Sequence, residues 1–372
     1  MNKLIVTIII LISMFTGMGC WDVRDISNRA FVTAVGLDAS ENGFKVSILI
    51  PRPASIKTRS TQKISQCKTV EAESISKAVS IFQAELARDI SFSHLRAMII
   101  GEKLARQSNF NDVMSFFGKN PNVALRFVLM FVDGGEAENV LKTEPFLDRS
   151  STTELIGLVE SGEDLGVGRT KRFYDFLGDL RQTDGNALGA RITTEKTEGN
   201  STLSRIGGAI FTNWRLAGWL NTDEMQDANW IVRENPNVVV VSTMGKGQYS
   251  CNIDKKSVKV TPRINNGQLK FELNIKAVGK ITEQQVSSLD LTEPQNLQKL
   301  EAVIKDKISQ QASKAVYKSQ KELGIDYLGF DRALIINEPA LYKELDWPEV
   351  YPNIPVEIKL DFRINLVGLE SR

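Results

Sequence analysis

The stretch Tyr249–Gly279, YSCNIDKKSVKVTPRINNGQLKFELNIKAVG, decides the fold class. Two strand-like runs, Tyr249–Pro262 and Leu269–Gly279, flank Asn265-Asn266-Gly267, and an Asn-Gly pair between such runs marks a hairpin turn. Upstream, Val238–Ser242 supplies a third strand, with Gly245-Lys246-Gly247 as the connecting turn. Downstream, Pro294–Leu323 has the period of a long amphipathic helix, with Leu297, Leu300, Val303, Ile304, Ile308, Ala312, Ala315 and Val316 on one face. Thr292 is placed to cap its start, Pro294 suits its first turn, and Gly324 ends it. The alternating run Val356–Val367 closes the chain. This half reads as an antiparallel sheet carrying one long helix.

Working outward, Ile206–Phe211 and Arg215–Leu220 form a tight hairpin around Thr212-Asn213-Trp214, followed by a short helix at Asp223–Val232. The segment Thr183–Ser201 is rich in Gly, Thr, Asn and charge and reads as a linker, narrowed to residues 191–203. Before it, Ala30–Gly36 and Gly43–Ile50 read as paired strands turning at Asn42-Gly43, and Lys57–Lys68 as a mobile loop. Ser74–Arg88 is an amphipathic helix with Ile75, Ala78, Val79, Phe82 and Leu86 in register. Leu95–Ile100, a helix at Asn111–Phe117 and Val123–Val132 give strand, helix, strand, which suggests a crossover and a mixed sheet. Short helices follow at Ala137–Leu141, Thr153–Val159 and Lys171–Leu180. The expected class is α+β and multidomain, with mixed or antiparallel sheets each packed with helices. The divisions are a signal at 1–19, an N-terminal region at 20–190, a linker at 191–203 and a C-terminal domain at 204–372.

The N-terminus, MNKLIVTIIILISMFTGMGC, has a positive start at Lys3, an apolar run from Leu4 to Phe15, then small residues and Cys20, the layout of a secretory signal. As a helix, Leu4–Gly19 spans about 24 Å, short of a hydrocarbon core of roughly 30 Å. Cys20 has the position of a lipid-modified cysteine, although Gly17 stands where a lipobox usually has Leu. Two acyl chains on such a cysteine give stable attachment where one does not.

The charge balance, 46 Lys and Arg against 45 Asp and Glu, carries no surplus for binding nucleic acid. One histidine, His94, and three cysteines remove most imidazole and thiolate chemistry, including multi-His or multi-Cys metal sites. No Gly-x4-Gly-Lys-Ser/Thr loop and no nucleophile-elbow sequence occurs. His94 reads as a structural imidazole, and Cys67 and Cys251 as unpaired thiols in different regions. The glycines of GLVESGEDLGVG (Gly157–Gly168) read as a flexible loop between helices, its Glu160, Glu163 and Asp164 as a solvated cluster. Trp214, Trp219, Trp230 and Trp347 read as packing residues. No catalytic, metal-binding or cofactor-binding residue is assigned, and no cofactor is expected.

Several stretches together resemble the Ger(x)C family, the lipoprotein C subunits of spore germinant receptors. They are GCWDVRDI (Gly19–Ile26), AVGLD (Ala34–Asp38), SISKAV (Ser74–Val79), SFSHLRAMIIGEKLA (Ser91–Ala105), GGAIFTNWRLAGWLNTDE (Gly207–Glu224) and VEIKLDFRINLVG (Val356–Gly368). The resemblance implies a non-enzymatic subunit on the outer surface of the spore inner membrane, working with integral-membrane A and B subunits. It implies an α+β fold of three small domains, so the N-terminal region is one domain or two. Only Cys20 transfers as a functional position. The competing readings are a lipoprotein that binds the nutrient itself and an extracytoplasmic hydrolase using the Glu160–Asp164 cluster.

Overall fold

A computed structural model describes residues 28–51, 65–107, 110–145, 150–183, 185–197, 200–233, 237–285 and 290–365. The N-terminal part runs β1 (Arg29–Phe31), β2 (Ala34–Ser40), β3 (Gly43–Pro51), β4 (Ser65–Ala72), α1 (Ile75–Leu86), β5 (Asp89–Ser91), β6 (Ala97–Gly101), α2 (Glu102–Ala105), α3 (Phe110–Lys119) and β7 (Val128–Val132). It continues through α4 (Ala137–Lys142), α5 (Ser151–Asp164), β8 (Lys171–Arg172), α6 (Phe173–Gln182), β9 (Ala187–Thr197), β10 (Asn200–Thr212) and β11 (Arg215–Leu220). These strands build one nine-stranded sheet in the order β11-β10-β9-β7-β6-β2-β3-β4, with β8 beside β7, while β1 pairs β5 separately. β2, β6, β7 and β9 are mutually parallel.

The sequence explains the parallel centre. Every residue of AMIIG in β6 and VLMFV in β7 is buried, as expected of strands covered on both faces. On one face lie Phe82 of α1, Phe110 and Phe117 of α3, and Phe173 and Phe176 of α6. On the other lie Ala137, Val140 and Leu141 of α4, and Leu155 and Val159 of α5.

The structure differs from the sequence reading in three places. The stretch 191–203, expected as a linker, is occupied by β9 and β10, paired antiparallel with Ile192 opposite Ile206 and Ala190 opposite Gly208. Just beyond it, Gly207 of β10 marks a close approach: a Cβ there would stand 2.2 Å from the Leu220 carbonyl oxygen. The hairpin β10–β11 opens the stretch expected as the C-terminal domain, and in the structure β10 pairs β9 along its length, so its strands lie at the edge of the first sheet. Of the stretch Gly157–Gly168, expected as a loop, residues 157–164 are the last half of α5 and only 165–168 leave the helix. Ile206 packs so closely on Gly162 that a Cβ there would lie 2.1 Å from its Cδ1. Of the expected loop Lys57–Lys68, residues 57–64 lie outside the described residues, and Cys67 sits in β4.

The C-terminal part begins with α7 (Thr222–Val232), whose start is a reciprocal cap between Asn221 and Glu224. Then come β12 (Val238–Met244), β13 (Gly247–Asn265), β14 (Gln268–Gln285), α8 (Pro294–Tyr317), a π-helical turn at Lys318–Leu323, α9 (Phe330–Asn337), α10 (Pro339–Glu344), α11 (Trp347–Val350) and β15 (Val356–Ile364). The sheet order is β12-β13-β14-β15. The first three strands are antiparallel, but β15 is parallel to β14, since α8 and the short helices carry the chain back to the end where β14 began. α8 buries Leu300, Ile304, Ile308, Ala312 and Ala315 against this sheet. Thr292 does not cap it: Glu293 holds that position, and the Thr292 hydroxyl donates to Asp290 at 2.6 Å. Leu188, Ile210 and Leu220 of the first sheet join the same apolar cluster as Phe271, Trp347 and Tyr351.

Candidate functional site

In open sheets with parallel strands, ligands bind beyond the carboxyl ends of those strands. Here β2 carries Asp38 just past its parallel pairing, β6 runs into Glu102, and β7 runs into Asp133. Asp38 is buried, and its carboxylate accepts the N–H groups of Ala137 at 2.7 Å and Glu138 at 3.0 Å, closing the first turn of α4. Burial pushes its pKa up to about 6 against the pull of those two bonds. The space for Asp38 exists because Gly101 has no side chain: a Cβ there would stand 2.0 Å from Oδ1.

Glu102 accepts the Gly134 N–H at 2.8 Å, Nε of Arg106 at 2.8 Å and Nε1 of Trp219 at 3.4 Å. Partial burial works to raise its pKa, but the Gly134 bond and Arg106 outweigh it and hold the carboxyl below its usual range. Asp133 accepts Nε of Arg191 at 2.8 Å, and Arg191 also donates to the Leu220 carbonyl at 3.1 Å, with its guanidinium 6.0 Å from the Trp219 ring centre. Lys45 donates to Glu136 at 2.9 Å and Glu138 at 3.3 Å. Three family-like stretches far apart in sequence therefore meet: Asp38 from AVGLD, Gly101 and Glu102 from SFSHLRAMIIGEKLA, and Trp219 from GGAIFTNWRLAGWLNTDE. Each of these carboxylates is answered from within the chain, so the cluster braces the loops that meet there.

A second polar cluster lies where the two parts join, around a cavity of about 220 Å³. Lys171 and Arg332 both reach Asp179, Arg332 at 3.4 Å. Asn186 donates to Asp331 at 3.3 Å. Asp326 accepts the N–H groups of Gly329, Phe330 and Asp331 at 2.9, 3.2 and 2.6 Å, shaping the turn into α9. Burial pushes Asp331 well up, with the neighbouring Asp326 adding to it. Burial, with Arg169 and Arg332 nearby, pushes Lys171 down to about 7, and its contact with Asp179 opposes that. Sequence reasoning passed over Lys171, Asp326 and Asp331, which sit in no motif; only for Asp326 does a charge between apolar neighbours, Ile325-Asp326-Tyr327-Leu328, give a hint.

The residues singled out from sequence do not converge. Cys20 lies outside the described residues. His94 is exposed and stacks on Phe31, ring centres 4.6 Å apart. Cys67 and Cys251 are free, and burial pushes Cys251 up to about 12. Glu160 is exposed on α5, while Glu163 pairs Arg169 at 3.4 Å and Asp164 pairs Arg233 at 3.1 Å. Trp230 and Trp347 are buried; Trp214 and Trp219 are half-buried. Among the described residues no group of three His, Cys, Asp or Glu is placed to hold a metal ion, and no helix is long and apolar enough to cross a membrane.

The chain is thus an α+β protein whose mixed sheet and helix-backed ribbon share an apolar cluster and whose strand-end charges serve as struts. Residues 22–194 match the spore germination protein N-terminal domain, and residues 206–368 match the spore germination B3/GerAC-like C-terminal domain. The chain belongs to this family of spore germination proteins. It is 27% identical over 359 residues to the putative spore germination protein YfkR of Bacillus subtilis (strain 168), covering 91% of this chain and 90% of that protein. To spore germination protein B3 of the same organism it is 25% identical, covering 93% of each. To spore germination protein KC it is 20% identical, covering 100% of this chain and 97% of the relative. The crystal structure of the GerBC protein shares the fold, with a TM-score of 0.58 and 19% identity over 92% of this chain and 99% of that one.

Proposed function

We propose that this chain is a non-enzymatic subunit of a spore germinant receptor. In this reading, lipid on Cys20 holds it to the outer face of the spore inner membrane, where it works with integral-membrane A and B subunits in the germination response to nutrients. The observation that carries the reading is the match of both family domains, in order, across nearly the whole chain. The strand-end geometry supports it: where an α/β enzyme keeps open chemistry, Asp38, Glu102 and Asp133 are each bound by this chain's own groups.

Replacing Cys20 with Ala in the native host tests it. The variant is expected to leave the membrane fraction and to impair nutrient-triggered germination while accumulating normally. Retention in the membrane with a full germination response removes the lipid anchor from the account.

A further inference from the structure

The outer face of the C-terminal ribbon, turned away from α8, is set by strand pairing. Lys255 on β13 stands in a row with Val278 on β14 and Arg363 on β15. The next rows are Ser257, Lys276 and Asp361, then Lys259, Asn274 and Lys359, then Thr261, Glu272 and Glu357, with Arg263 opposite Lys270 beyond them. These rows therefore carry seven cations against three carboxylates in a chain whose total charge is only +1. The rest of the molecule is net negative.

Its carboxylates are already spoken for. Glu272 pairs Arg263 at 3.2 Å and Lys359 at 3.4 Å, Glu357 pairs Lys270 at 3.2 Å, and Asp361 lies 3.8 Å from Arg363. Lys255, Lys259 and Lys276 are exposed and have no anionic partner among the described residues. A β-strand places them on one side with a period of two, so all three ammonium groups address the same plane.

We propose that this ribbon face rests on anionic phospholipid headgroups. Its composition separates a bilayer from a protein partner: five of the seven cations are lysines and no row contains an aromatic ring. Protein interfaces are depleted in lysine and enriched in aromatic residues at their centres, whereas each lysine or arginine close to an anionic leaflet adds attraction on its own. The inference rests on the membrane-tethered reading for its setting. A lipid on Cys20 leaves Asn28, the first described residue, within about 30 Å of the headgroups even when the intervening chain is fully extended. The net negative remainder of the molecule then turns the basic face toward the bilayer, and the lipid attachment gains an electrostatic contact beside it.

The test uses Trp21–Arg372, which holds every described element and no anchor. It is sedimented with vesicles of phosphatidylglycerol and phosphatidylcholine mixed, and of phosphatidylcholine alone. Binding is expected only to the mixed vesicles, weakening steeply from about 50 to about 500 mM salt. The variant K255Q/K259Q/K276Q, whose changes are all on exposed positions, is expected to keep its thermal melt and to partition roughly 100-fold more weakly. No binding to anionic vesicles at low salt, or equal binding by the variant, overturns the proposal. Retention on an acidic polypeptide without vesicle binding also overturns it and assigns the face to an acidic protein. Because no lipid anchor is present in this assay, failure of the Cys20 reading is scored separately by membrane fractionation of Cys20→Ala.

Discussion

Gly101→Ala tests whether the meeting of the AVGLD and IIGEK stretches holds the N-terminal sheet together. Gly101 has φ −68° and ψ 149°, which alanine adopts freely, so backbone strain plays no part. The conflict is with a neighbour: the new methyl would sit 2.0 Å from Oδ1 of Asp38 and 3.2 Å from its Cγ. Asp38 cannot swing aside without giving up its bonds to Ala137 and Glu138 at 2.7 and 3.0 Å. Hydrogen bonds to a charged group are worth about 1.5–3 kcal/mol each, and relaxation and partial resolvation of the carboxylate return some of the loss. We expect Gly101→Ala to cost about 3 kcal/mol, read as a shift in the urea midpoint of Trp21–Arg372 at pH 7.5 with an unchanged slope.

The mechanism makes a stricter demand. In an Asp38→Ala background the clash is gone, and the nearest remaining atom is the Gly135 carbonyl oxygen at 3.5 Å. There the Gly101 substitution should cost less than about 0.5 kcal/mol, leaving a coupling of roughly 2–3 kcal/mol in the double-mutant cycle. Additive effects refute the steric account, and so does a Gly101→Ala protein as stable as the parent. A pH series gives a second reading. Asp38 keeps its proton in the folded state up to about 6, while the unfolded chain releases it near 3.9. Between those values the folded state binds more protons, so stability falls as pH rises, by at most about 3 kcal/mol from this group. Asp38→Asn should remove that part of the slope.

Two further outcomes follow from the buried charges and thiols. Lys171 is pushed down to about 7 in the fold, so between pH 7 and the usual lysine value of about 10.4 the unfolded chain binds more protons and stability should rise with pH. Denaturation of Lys171→Met across that window should lack the rise; an identical pH profile means that Asp179 keeps the ammonium charged throughout. Cys251 is buried and pushed up to about 12. In Trp21–Arg372 bearing Cys67→Ser, a thiol reagent at pH 8 should therefore find no reactive sulfur until urea is added, and prompt labelling of the native protein contradicts the packing around β13.

The sequence made the regular elements legible where local chemistry and tertiary packing agree. Asn266-Gly267 does turn β13 into β14, and the apolar stripe from Leu300 to Val316 does lie on the sheet. Reading broke down at glycine. In the Gly157–Gly168 stretch glycine density signals flexibility, whereas Gly162 is small because Ile206 presses on it, as Leu220 presses on Gly207 just past the expected linker. Close approach and flexibility leave the same mark in a single sequence, and only the partner, 13 residues away for Gly207 and 44 for Gly162, tells them apart. The charged clusters were missed for a related reason. Asp38, Asp326 and Asp331 look like ordinary surface acids until the fold buries them and supplies N–H donors from α4 and from the turn into α9.

That use of charge bears on how such a molecule acts. A ligand entering at the carboxyl ends of β2, β6 and β7 would have to displace the α4 N-terminus from Asp38, the Gly134 N–H from Glu102, or Arg191 from Asp133. Each displacement leaves a partly buried polar group unanswered, at about 1–3 kcal/mol apiece, so the binding position that this topology normally offers is closed by the fold itself. The unanswered charge lies instead on the outer ribbon, where Lys255, Lys259 and Lys276 stand exposed at the cost of no internal contact. The interior polar groups brace the two parts, and in the proposed reading recognition falls to exposed faces such as the ribbon. A substitution at Gly101 and one at Lys255 should accordingly fail in different ways: the first loses stability, and the second keeps stability while losing attachment.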